Sequence, residues 1–165
     1  MERQCSAMHA RQLTARFVER SLAFLDRLAG DREKHVTPLH LQVGIAGEDA
    51  ALFFLMRTGY TVAGRRWSSG MVAGDIDLIA WKEDLLCIVE VKTRTAHTIT
   101  PAEAAVDEHK RQILRRLARA YVRQLARAEA PQVRFDVVSV YLVPGLKAEC
   151  IHFENAFGWT RRYDD

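Results

Sequence analysis

Residues 75–94 read DIDLIAWKEDLLCIVEVKTR, and the fold and the chemistry both turn on how this stretch is read. Two runs rich in Ile, Leu and Val flank a polar interruption and have the composition of buried strands. Asp75, Asp77, Glu90 and Lys92 nevertheless lie inside them. A charged group in such a run costs roughly several kcal/mol unless it is paired, hydrated or bound to a metal. Something recovers that cost.

Successive strand side chains point to opposite faces. Asp75 and Asp77 therefore share one face, with Ile76 and Leu78 on the other; Glu90, Lys92 and Arg94 share a face of the second run. The segment WKEDLL is the turn candidate. With Glu83 and Asp84 at its centre, Lys82 stands opposite Leu85, Asp77 opposite Glu90 and Asp75 opposite Lys92. Opposed side chains have Cβ atoms roughly 4.5–5.5 Å apart. The turn lacks an Asn-Gly or Asp-Gly pair, so a shifted register or a longer loop stays open. Two facing carboxylates destabilise a sheet unless a proton or a cation sits between them. Magnesium accepts one or two carboxylates together with water and phosphate oxygens, and a nearby lysine adds positive charge beside a phosphate. The constellation suits metal-assisted phosphodiester hydrolysis. The competing reading is a cross-strand Asp75–Lys92 ion pair with Glu90 solvated on an exposed face.

Outward from this pair, VGIAGEDAALFFLMRTGY reads as a helix stopping at Gly59, a residue suited to a helix C-terminus. YTVAGRRWSSG reads as a strand followed by a glycine-rich, basic loop. Beyond the hairpin, Thr100, Pro101 and Glu103 form a capping box ahead of a long helix. Its apolar stripe is Val106, Ile113, Leu114, Leu117, Tyr121 and Leu125. VRFDVVSVYLV is a strong strand candidate and ECIHFENAF a weaker one. The order predicts an α/β fold with a largely covered central sheet. The domain runs from 39 to 158, after an N-terminal helical extension and linker (1–38) and before a short tail (159–165).

Composition narrows the class. The chain has 165 residues, 48% hydrophobic and 27% charged, which predicts one soluble globular domain. Neither an apolar run of membrane-span length nor a secretory leader is apparent, so the expectation is a cytoplasmic protein without a membrane partner. Cys5, Cys87 and Cys150 are too scattered for a zinc site or a disulfide framework. The net charge of +3 is too small to argue for nucleic acid by itself.

An acid in one strand followed by E-x-K in the next resembles the PD-(D/E)XK nuclease motif. The wider set GIAGEDAALFFLMRTGY, GDIDLIA, IVEVKTR, AVDEHKRQIL, RFDVVSV and NAF resembles the YraN family of endonuclease-like bacterial proteins, akin to Holliday junction resolvases, over most of residues 44–157. The resemblance implies a restriction-endonuclease-like three-layer fold, a mixed sheet flanked by helices, and an endonuclease dependent on Mg2+ or Mn2+. It implies Asp77 and Glu90 as metal ligands and Lys92 as the residue that positions or activates water. Glu48 matches an acid that completes the metal site, although a first-turn glutamate is also favoured by the helix dipole. The family commonly has Glu at the place of Asp75, which is assigned to support of Lys92.

Nucleic acid, DNA rather than RNA, is the expected partner, recognised by its structure since no base-reading motif is visible. Arg65, Arg66 and Trp67 lead toward the proposed metal site as phosphate and stacking contacts, with a core role for Trp67 left open. Arg94, Lys110 and Arg111 join them. Arg111, Arg115, Arg119, Arg123 and Arg127 recur every four residues, either as a phosphate-facing row or as a solvated helix face. A homodimer would give two sites for two strands, though no interface is visible. A nuclease-fold binding protein with little cleavage, or an adaptor, are the alternatives.

Overall fold

In a computed structural model, which describes residues 38–96, 106–125 and 129–159, the 75–94 stretch forms the expected hairpin. The elements are α1 (Leu39–Arg57), β1 (Thr61–Ser69), β2 (Val72–Lys82), β3 (Leu85–Arg94), α2 (Glu108–Gln124), β4 (Val133–Tyr141) and β5 (Glu149–Phe157). The strands make a five-stranded sheet in the order β1-β2-β3-β4-β5. Every neighbouring pair is antiparallel except β3 with β4. A parallel pair needs a long crossover, and α2 lies in that connection.

Lys82 pairs with Leu85, and Glu83 takes the positive φ of 55° that a two-residue loop needs to match strand twist. Along β3, Leu86 and Ile88 face a core built with Leu114 and Leu117 of α2. Cys87 and Val89 face another built with Ala51 and Leu55 of α1. A helix thus covers each side of the sheet: a three-layer α/β fold.

Helix α1 ends in a Schellman motif. Gly59, at φ 91°, donates its N–H to Met56, and Tyr60 donates to Leu55, which satisfies carbonyls left free at the helix end. Gly47 matters for a different reason. A Cβ there would lie 1.8 Å from Thr93 Oγ1 and 2.8 Å from Thr93 Cβ, so only glycine lets α1 approach β3 this closely. By length and composition α1 is also apolar enough to cross a membrane, contrary to the reading of apolar runs above; Ala51, Phe53 and Leu55 are nonetheless buried within the domain.

Two expectations are corrected and a third is borne out. Arg65, Arg66 and Trp67 belong to β1 rather than to a loop, because Trp67 packs against the core and edge-on to Tyr121. The long helix begins at Glu108, with the Asp107 side chain accepting from the Lys110 N–H; the Thr100–Glu103 capping box and the 1–37 extension lie outside the described residues. Finally, ECIHFENAF is a full strand, β5, anchored by Phe157 stacked on Phe135.

Candidate active site

The β2–β3 ladder runs from Lys82↔Leu85 to Leu78↔Val89, the register expected from the turn. At the next position it changes character. Asp77 Oδ2 accepts the Val91 N–H at 2.6 Å, so a carboxylate stands where a strand carbonyl would otherwise be. Strict alternation breaks at the same place: Ile76 enters the α2-side core and Leu78 the α1-side core, correcting the expectation that they share a face. Across β1, Arg66 falls between the pairs Arg65↔Leu78 and Trp67↔Ile76 and has a φ of 47°. Such local irregularities re-aim side chains beside functional sites.

Asp75 stays paired with Ser68 of β1. The Asp75–Lys92 ion pair is therefore not formed among the described residues, and the Asp75 carbonyl instead accepts from Lys110 Nζ at 3.3 Å. Nor is Glu90 solvated. It is 4% exposed, with Lys92 Nζ 2.9 Å from Oε1 and Lys110 Nζ 3.2 Å from Oε2. The second contact is not aligned as a hydrogen bond, and Oε2 is buried without one. Burial, and then the charge of Glu90, push the Asp77 carboxyl up to about 7, only partly countered by the Val91 N–H and Lys110. Burial alone would lower the Lys110 ammonium, but Glu90 and Asp77 hold it above its usual value.

Asp77, Glu90 and Glu48 line one cleft of about 550 Å3, together with His40, Val91 and Thr93. Glu48 does not point at the other two acids alone. Its carboxylate is gripped by Arg66 at 2.7 and 2.9 Å and by Arg65 at 3.3 Å; Arg65 also pairs with Asp49 at 2.5 Å. These arginines thus reach the rim of the cleft through Glu48. Trp67, packed on Tyr121, is core-facing. Arg94 Nε and Ser139 Oγ are buried without hydrogen-bond partners among the described residues, and Ser139 is the β4 partner of Lys92.

The N-terminal end of the α2 arginine row is engaged by the domain itself rather than freely solvated. Arg111 donates to the Val106 carbonyl and lies over the Phe157 ring. Arg115, 6% exposed, donates to the Gly158 carbonyl and pairs with Glu108. Arg119 covers Trp159. A four-residue spacing brings these side chains onto the end of β5, where cation–π contacts tie the helix to the sheet.

Among the described residues no three His, Cys, Asp or Glu side chains stand together as a metal cluster. The donor set of Asp77 and Glu90 still fits a hard divalent cation. Both are oxygen ligands, and water and substrate oxygens ordinarily fill the rest of such a shell. A buried, unsatisfied Glu90 Oε2 and a carboxyl forced toward protonation are what an ion between the two acids would relieve.

Residues 47–140 match the family model described as Uncharacterised protein family UPF0102. The chain belongs to this family. A UPF0102 protein of Koribacter versatilis is 43% identical over 126 residues, covering 76% of this chain and 85% of the relative. A UPF0102 protein of Symbiobacterium thermophilum is 43% identical over 117 residues, 70% of this chain and 96% of the relative. A third, from Porphyromonas gingivalis, is 40% identical over 119 residues, 72% and 85% of the two chains. UPF0102 is the YraN family of the sequence resemblance, and its matched region contains Glu48, Asp77, Glu90, Lys92 and Lys110.

The partner that sequence reading placed elsewhere is Lys110. It was expected at phosphates, yet it sits against Glu90. A cation in the first turn of a helix opposes the helix dipole, but with the helix start read at Thr100 nothing in the sequence showed that Lys110 occupies that turn.

Proposed function

We propose that this UPF0102 protein is a divalent-metal-dependent nuclease that hydrolyses phosphodiester bonds of DNA, acting with the DNA in the cytoplasm. The observation that carries the reading is the half-buried Asp77 beside the buried Glu90, with Lys92 on Glu90, set where the β2–β3 ladder gives way to a cleft. A restriction-endonuclease-like reading of the three-layer fold would join these features to one chemistry.

Asp77 and Glu90 would hold Mg2+ or Mn2+. Such an ion supplies Lewis acidity toward a phosphoryl oxygen and makes a coordinated water easier to deprotonate. The protein does the rest. The Val91 N–H fixes the Asp77 carboxylate in place. Glu90 anchors the Lys92 ammonium, whose side chain is 35% exposed and so open to a water or a phosphate. A water held beside Lys92 would attack phosphorus and give up a proton to solvent, the P–O bond to the departing sugar would break with its oxygen taking up a proton from solvent, and positive charge from Lys92 would offset the charge that builds on the phosphoryl oxygens. Arg94, two residues on along the same strand, would be a further phosphate contact.

The test is cleavage of branched, flapped, single-stranded and duplex DNA with Mn2+, comparing the wild type with Glu90→Ala and Lys92→Ala. Cleavage by the wild type that both variants lose is the expected result. Equal cleavage by all three proteins places the activity elsewhere. DNA binding without any cleavage would instead favour a binding protein that keeps a nuclease fold, a reading favoured by Glu48 being held by two arginines rather than joining the acid pair.

A further inference from the structure

Glu90 is clamped by two lysines from two different elements, one at each carboxylate oxygen. Lys92 comes from the same strand. Lys110 comes from the first turn of α2, where a cation opposes the helix dipole, and the cap from Asp107 fixes that turn in place. Its ammonium lies 3.2 Å from Glu90 Oε2 without the alignment of a hydrogen bond, and it is steadied by the Asp75 carbonyl at 3.3 Å. Counted by charge, Asp77 and Glu90 are balanced by Lys92 and Lys110, so the site is near neutral with no ion in it. Oε1 is taken up by the hydrogen bond from Lys92, which leaves Oε2 as the Glu90 oxygen open to a divalent cation, and there the ion would face the Lys110 ammonium in close contact. Both cannot stay.

Resting on the metal-dependent reading above, we infer that Lys110 holds the cation's place at Glu90 Oε2 and is displaced when the cation binds, its freed ammonium then taking a phosphate of the nucleic acid. Cation and substrate binding are coupled through one side chain. The ion releases the lysine that grips DNA, and DNA that holds the lysine favours the ion, as linkage requires.

The experiment is calorimetric titration of the full chain with Mn2+ at neutral pH and fixed ionic strength, on wild type, Lys110→Met and Lys92→Met. DNA affinity is then measured with Ca2+ and with chelator. Lys110→Met should bind Mn2+ on the order of tenfold more tightly than wild type, and more tightly than Lys92→Met, because an opposing charge in contact is removed. It should lose DNA affinity when the divalent cation is present and little without it. Lys110→Gln, which keeps a polar end without the charge, repeats the comparison should the Met variant fold poorly. Equal Mn2+ affinity in wild type and the Lys110 variants, or equal tightening in the Lys92 variant, overturns the exchange while leaving a metal site. So does an equal loss of DNA affinity with and without the cation. Absence of Mn2+ binding in every protein overturns the metal reading itself, and the exchange with it.

Discussion

Replacing Asp77 by Asn should stabilise the metal-free protein, and by an amount that depends on pH. The Asp77 carboxyl is pushed from 3.8 up to about 7 by burial and by Glu90. A raised pKa in the folded state means that the folded chain holds this proton over a window in which the unfolded chain has lost it. Stability therefore falls as pH rises from about 4 to about 7 and levels off above, where both states are ionised. The slope is about 1.4 kcal/mol per pH unit, so the whole window amounts to at most about 4 kcal/mol. Asp77 and Glu90 share one another's repulsion, and relaxation of the half-open cleft lowers the figure, so we expect roughly 2 kcal/mol at pH 8. Asn keeps an oxygen for the Val91 N–H and carries no charge. Urea unfolding with chelator, from about pH 5 to about pH 8, reads the effect directly. The Asn variant should gain steadily on the wild type across that range. Added Mn2+ should stabilise the wild type and not the variant. A variant less stable at pH 8, or a difference that does not change with pH, would refute the account of Asp77.

Three further outcomes follow from the packing. Gly47→Ala should cost about 1–3 kcal/mol in urea unfolding, since Thr93 cannot give way at its Cβ, and Thr93→Gly should recover part of the loss. Arg115→Ala should cost roughly 1–3 kcal/mol by removing the donor to the Gly158 carbonyl, and it should loosen the end of β5, seen as faster amide exchange there. Asp136 is fully buried; burial raises its carboxyl, but hydrogen bonds from His152 and Arg134 outweigh this and hold it below the usual range. Its contribution is therefore present above the ordinary aspartate pKa of about 4 and lost as pH falls further. Asp136→Asn should cost roughly 3–5 kcal/mol at neutral pH by removing the buried one of the two carboxylates that pair with Arg134, and it should flatten the acid limb of the stability profile.

What could be read from the sequence was whatever depends on neighbours along the chain. Hydrophobic alternation and a polar turn place Lys82 opposite Leu85, and the register then runs correctly to Leu78↔Val89. Gly59 as a helix terminator needs only a positive φ. The failures begin where a side chain replaces the backbone. Alternation cannot foresee that Asp77 will take the Val91 N–H and that Ile76 and Leu78 will part to opposite cores. A basic cluster looks loop-like until Trp67 finds Tyr121, which lies 54 positions away along the chain. The four-residue arginine spacing was plain, but its destination on Phe157 and Trp159 depends on where β5 ends. Residue types were legible, and long-range partners were not.

The charge arrangement at Glu90 argues against a purely structural role for these residues. A buried network kept for stability closes on itself, and the second polar cluster of this protein does so. Asp136 accepts from Arg134, from the Asn155 N–H and pairs with His152, while Arg134 also reaches Tyr60 and Glu154. Every oxygen of that buried aspartate has a donor. The Asp77–Glu90 site is of the opposite kind: a Glu90 Oε2 met by an ammonium but by no aligned hydrogen bond, a carboxyl displaced to about 7, and lysines drawn from a strand and from a helix's unfavourable end. Both clusters centre on carboxylates of the same sheet, so the contrast is not a matter of fold quality. Leaving one acid pair unfinished costs stability that a few apolar substitutions would restore. A cost of that kind is retained where the missing partner arrives with the ligand.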